Sequence, residues 1–139
     1  MSSLPADLPP DLPPDWFARF EHGVGEFNSG LYYDCHETLE RCWQEQGLLA
    51  SAMTDPHREF VQGLIQVSVG YHHLERSNVK GALKLLRRGL GRLKNFPLVS
   101  YPLDMLEFEA IVQSTIATLE SAEGPEALAT VRFPKVAHK

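Results

Sequence analysis

Apolar residues recur at helical spacing from Asp15 to Phe96. The one proline inside that span, Pro56, follows the N-cap residue Asp55, where a helix begins. The pattern predicts helices over about 15–28, 31–46, 56–76, 79–95 and 103–122, bounded by Asn28-Ser29-Gly30, Gly47, Ser77-Asn78, Asn95-Phe96-Pro97 and Gly124-Pro125. No alternating Val/Ile/Thr segment competes for strand, so the fold class is all-α, a compact bundle of about five helices. The third helix is the central one. Its Phe60, Leu64, Val67, Tyr71 and Leu74 form one stripe within about 80°, while Val61, Ile65 and Val69 spread apolar character around the rest. Gly63 and Gly70 share a face; each costs about 1 kcal/mol of helix propensity, which close approach of a neighbouring helix offsets.

The fourth helix sets a core stripe of Val79, Leu83, Leu86, Leu90 and Leu93 against six positive charges: Lys80, Lys84, Arg87, Arg88, Arg92 and Lys94. The basic run reads as a solvated face, partly neutralised by Asp104, Glu107, Glu109 and Glu120 on the fifth helix. Residues 1–14 form a Pro-rich tail, 15–123 a single helical domain and 124–139 an extended C-terminal tail. In the last, Val131, Phe133 and Val136 are expected to pack on the bundle or on a partner.

A chain of 139 residues with 43% hydrophobic side chains buries enough core to fold without a metal or a disulfide. Its net charge of −5 argues against a general role on nucleic acid or anionic membrane. No apolar run approaches ~18 residues and the N-terminus has no basic, apolar leader, so a cytoplasmic protein without membrane contact is expected. Cys35 and Cys42 would lie ~10 Å apart along one helix, too far to bond to each other, and read as packed side chains. Tyr32, Tyr33 and Trp43 read as core.

Candidate chemistry sits on the second and third helices. His36 and Glu40 are neighbours on one helix face, with Glu37 beside them and Trp43 a turn away. Gln62, Gln66 and His73 fall within about 40° of one another, opposite the apolar stripe, and the angle favours His73 over His72. Packing the two lines face to face would make a buried polar cluster of His36, Glu37, Glu40, Trp43, Gln62, Gln66 and His73. Three readings stay open. The cluster is a hydrogen-bonded network fixing helix register, or a divalent-metal site in which His36, Glu40 and His73 hold an ion such as zinc, or a pocket whose Glu and His transfer protons. His36-Glu37-x-x-Glu40 is half of a zinc protease motif, but Glu stands where the second His belongs.

Three motifs in order carry a family resemblance. They are Phe27-Asn28-Ser29-Gly30-x-Tyr32-Tyr33-x-Cys35-His36-Glu37-x-Leu39-Glu40-x-x-Trp43, then Phe60-Val61-Gln62-Gly63-Leu64-Ile65-Gln66, then His73-x-x-x-Ser77-Asn78-x-x-Gly81-Ala82. Over about residues 17–95 the chain resembles the domain of unknown function 309 family: small, all-helical, mostly bacterial and archaeal proteins with no established activity. The resemblance implies that His36, Glu37, Glu40, Trp43, Gln62, Gln66 and His73 are motif residues, and that Asn78, Gly81 and Ala82 serve the turn and its packing. The chain departs at Ser77, where the family usually has Gly, and a Ser takes such a turn less comfortably.

Gly30 to Cys35 and Ser77 to Ala82 also share a spacing found in tetratricopeptide-like helix pairs. Their 47-residue offset is not that repeat's, and a generic helix-pair packing device is the reading. The functional expectation is a binding or interaction module, with a metal-dependent enzyme of unknown substrate as the alternative. A homodimer and an unidentified protein partner are both compatible with it.

Overall fold

The computed structural model describes residues 13–48, 56–96, 103–121 and 128–138. Five helices follow one another as α1 (Trp16–Asn28), α2 (Tyr32–Gly47), α3 (Pro56–Glu75), α4 (Val79–Asn95) and α5 (Leu106–Glu120), with two-residue strands β1 (Leu103–Asp104) and β2 (Ala137–His138). Most of the Pro-rich tail, the Asp55 cap and the Gly124-Pro125 boundary lie outside the described residues. α3 packs against both α2 and α4, α1 packs on α2 and α5 on α4, and Phe27 of α1 also meets Tyr71 of α3 and Phe108 of α5. The α3 stripe is buried throughout: Phe60, Val67 and Tyr71 are at most 2% exposed.

Glycines set the spacing of the central pair. A Cβ on Gly63 would lie 3.1 Å from the Gly89 carbonyl oxygen, and one on Gly89 would lie 2.8 Å from that of Gly63. The close approach expected at Gly63 is made, and α4 contributes a glycine of its own. Gly70 meets Leu86 in the same seam.

Two helix ends share one design. After α1 the Leu31 amide donates to the Glu26 carbonyl at 2.9 Å and the Gly30 amide to Phe27 at 3.0 Å, with Gly30 at φ +78°. After α3 the Asn78 amide donates to His73 at 2.8 Å and the Ser77 amide to Leu74 at 3.0 Å, with Ser77 at φ +58°. Both are Schellman ends, and each needs its turn residue in the left-handed region that suits glycine. Asn78 then caps α4, its Oδ1 accepting from the Gly81 amide at 3.0 Å. A Cβ on Gly81 would fall 2.7 Å from the Asn78 side chain, and Ala82 is fully buried behind it.

The C-terminal segment docks on its own bundle. Asn28 treats Val136 as a strand treats its neighbour: its Nδ2 donates to the Val136 carbonyl at 2.9 Å and its Oδ1 accepts from the Val136 amide at 2.7 Å. Phe133 stacks on Tyr32, with Tyr71 5.3 Å away, and β2 pairs antiparallel with β1. Among the described residues no helix is long and apolar enough to cross a membrane.

Candidate functional site: a cleft between α2, α3 and α4

Along α2 the core-facing positions are Cys35, Leu39, Cys42 and Gln46, all buried. His36, Glu40 and Trp43 form the stripe one residue further on, about 100° round, and so stand at the edge of the seam. On α3, Gln62 and Gln66 take the corresponding edge beside Ile65 and Val69. These seven side chains and Leu85 of α4 line one cleft of about 270 Å³.

Five of the seven cluster residues read from the sequence therefore come together: His36, Glu40, Trp43, Gln62 and Gln66. Their setting differs from the expected buried cluster. The His36 side chain is 27% exposed and that of Glu40 45%, because the stripe looks past α3 into the cleft. Glu37 points to solvent. His73 is drawn elsewhere: its Nδ1 lies 3.1 Å from Nδ2 of Asn78, in the turn after α3. The His36, Glu40, His73 trio is thus not assembled. Among the described residues no group of three His, Cys, Asp or Glu side chains is placed to hold a metal ion. The second histidine near His36 is His72, through Tyr33, whose ring centroid is 5.8 Å from His36 and 5.4 Å from His72. Tyr33 is 53% exposed and is not the core residue expected, whereas Tyr32 is buried.

His36 Nε2 and Glu40 Oε2 are 2.8 Å apart. A carboxylate that accepts from one ring nitrogen fixes the imidazole's orientation and tautomer, the second-residue arrangement found beside oriented histidines. Neither cysteine supplies a nucleophile to it. Cys35 and Cys42 are fully buried, and burial pushes their thiols up to about 12 and about 11.

Two arginines brace the cleft, and the sequence reading gave neither a role there. The Arg58 guanidinium lies 3.6 Å from the centroid of the Trp43 ring, and its Nε donates to the Trp43 carbonyl. Arg92 pairs with Glu59 and donates from Nε to Gln66 Oε1 at 3.2 Å. The available signal was angular: Arg92 is seven residues after Leu85 and shares its face, but within a run of six charges it read as solvated.

The other missed pair lies at the end of the same seam. Gln46 Nε2 and His57 Nδ1 are 2.8 Å apart, both at 0% exposure, and the imidazole sits 5.0 Å from the Trp16 ring and 6.0 Å from Phe20. Its signal was present too, since each residue extends an apolar stripe by one turn: Gln46 after Cys42, and His57 before Phe60.

No curated protein matches the sequence. Residues 20–85, which carry both cleft walls on α2 and α3 as well as the Leu85 side chain, match the family described as Domain of unknown function (DUF309), which supports the resemblance carried by the three motifs.

Proposed function

We propose that the protein is a helical binding module whose ligand occupies the cleft between α2, α3 and α4, contacted by His36, Glu40, Trp43, Gln62 and Gln66. One observation carries this reading: polar groups from separate helices face an open space of about 270 Å³ instead of closing on one another. A polar network serving only helix register would be expected to fill that space, as Gln46 and His57 do at the end of the seam. The volume falls just below the range for small-molecule sites, about 300–1,000 Å³, so the ligand is a small metabolite.

A fragment screen read by amide and indole NMR shifts tests this. Binders should move the Trp43 indole resonance and the Gln62 and Gln66 side-chain amides. A screen in which those signals stay still while others respond, or in which none moves, would overturn the proposal. A stoichiometric ion in protein purified without an affinity tag, lost on chelation together with several degrees of melting temperature, would overturn it in favour of a metal site.

A further inference from the structure

The hydrogen-bonding inventory of the cleft narrows what it takes. Glu40 spends Oε2 on His36 and keeps Oε1, which as a carboxylate oxygen only accepts. On the opposite wall the Gln66 amide has a fixed orientation. Arg92 has donors only, so the atom facing it must be Oε1, and the Gln66 group left over is the Nε2 donor. The Trp43 indole N–H also only donates. Among the described residues no hydrogen bond engages the Gln62 amide or the Trp43 indole. The α2 wall thus offers an acceptor at Glu40, the α3 wall a donor at Gln66, and Gln62 supplies one of each.

A ligand satisfying both walls must donate on one edge and accept on another. Between these edges its body meets Ile65, Val69, Leu85 and the Trp43 ring, which are apolar surfaces. Net charge is disfavoured in either sign. An anion would lie against Glu40, and a cation would stand near the Arg58 guanidinium held over Trp43, while the charge of Arg92 is already paired with Glu59. An aliphatic body would cover the polar edges without pairing them.

We propose that the ligand is a neutral, planar nitrogen heterocycle of the nucleobase type, presenting an N–H donor to Glu40 and a carbonyl or ring-nitrogen acceptor to Gln66, with its ring against Trp43. This rests on the binding reading above and adds the ligand's chemical class. A free base or nucleoside is the source that fits. The cleft holds one or two fused rings, and the chain's net charge of −5 opposes a polynucleotide backbone.

The probes are adenosine, guanosine, cytidine and uridine, titrated into the full isotope-labelled chain. Benzoate and benzylamine serve as flat but charged controls, and short single-stranded oligonucleotides carry the same bases on a backbone. At least one nucleoside should shift the Trp43 indole and Gln66 amide signals. Gln66→Leu and Glu40→Gln should each weaken that binding by about tenfold. Both residues line an open cleft, so melting curves recorded alongside should match the parent chain and separate lost binding from lost folding. If nucleosides fail while other fragments still move the cleft signals, the ligand class is wrong and the binding reading stands. If nothing in a broad screen moves them, both fall. Binding that appears only with oligonucleotides and collapses with added salt overturns the free-ligand proposal.

Discussion

Polar side chains of α2 pair at two places, once with α3 and once along α2 itself, with the same bond length and opposite surroundings. Gln46 and His57 meet at 2.8 Å with no solvent exposure, walled by Trp16 and Phe20. His36 and Glu40 also meet at 2.8 Å, but more than a quarter of one side chain and nearly half of the other face solvent. Distance alone would rank the pairs equal. Water separates them: breaking a buried bond leaves a partner that cannot be rehydrated, at about 1–3 kcal/mol, whereas an exposed ion pair is worth about 0–1 kcal/mol. The first pair belongs to folding and the second is available for other work.

The largest expected effect attacks the sealed pair. His57→Ala removes a fully buried ring from between Trp16 and Phe20 and takes the bond from Gln46 Nε2, so it should cost about 2–4 kcal/mol. Thermal melting checks this, with a fall in midpoint of about 10 °C expected. A variant melting with the parent chain would break the comparison at its stronger end.

Next comes the α3–α4 seam, the sealed flank of the helix that also forms a cleft wall. Gly89→Ala drives a methyl to within 2.8 Å of the Gly63 carbonyl oxygen and 2.9 Å of the Val67 amide, both backbone atoms that cannot step aside. The expected loss is about 1–3 kcal/mol. Gly91, two residues on, has nothing within 4 Å of the same methyl, and Gly91→Ala should raise stability by about 0.5–1 kcal/mol. Denaturant unfolding of the two variants gives opposite signs if the seam is as tight as its geometry requires.

Periodicity made the helices legible, along with the central place of α3 and the packing role of Gly63. It also made legible that His36 and Glu40 would share a site with Gln62 and Gln66, because angle alone decides which residues share a face. Depth is not an angle. His36 lies one residue from Cys35, and that step separates a cleft wall from the core, which is why the cluster read as buried. The placement of His73 escaped for a different reason. A helical wheel runs on indefinitely, but α3 stops at Glu75, and there Asn78 competes for His73 and wins. Packing of Val136 on the bundle or on a partner was legible, but its anchor was not: the Asn28 side chain reaches backbone atoms 108 residues away, which carry no sequence signal.

That turn offers a sharper test of what belongs to the site. Ser77 holds φ +58°, which costs a β-carbon-bearing residue about 1–2 kcal/mol, while Gly gives back part of the gain through its freer unfolded chain. Ser77→Gly should therefore stabilise the protein by about 0.5–1 kcal/mol, read as a higher denaturant midpoint. It should leave the Trp43 indole signal unmoved, since His73 and its turn stand outside the cleft. A shift at Trp43 would mean that the turn and the cleft are coupled and that the site extends further than its lining.

The smallest effect is the most informative. His36→Ala removes a side chain that lines the cleft and whose described bond is to the partly exposed Glu40, so its cost to stability should stay within about 1 kcal/mol. Glu40, 45% exposed, can exchange the imidazole for water. The same deletion at position 57 cannot be rescued in that way, and the ratio of the two losses measures how differently one seam treats its two histidines. If His36→Ala instead unfolds the protein as readily as His57→Ala, then the cleft is part of the fold's support and its polar lining is accounted for without a ligand. A melting curve that barely moves leaves an imidazole oriented by a carboxylate, at the mouth of an open cleft, that stability alone does not explain.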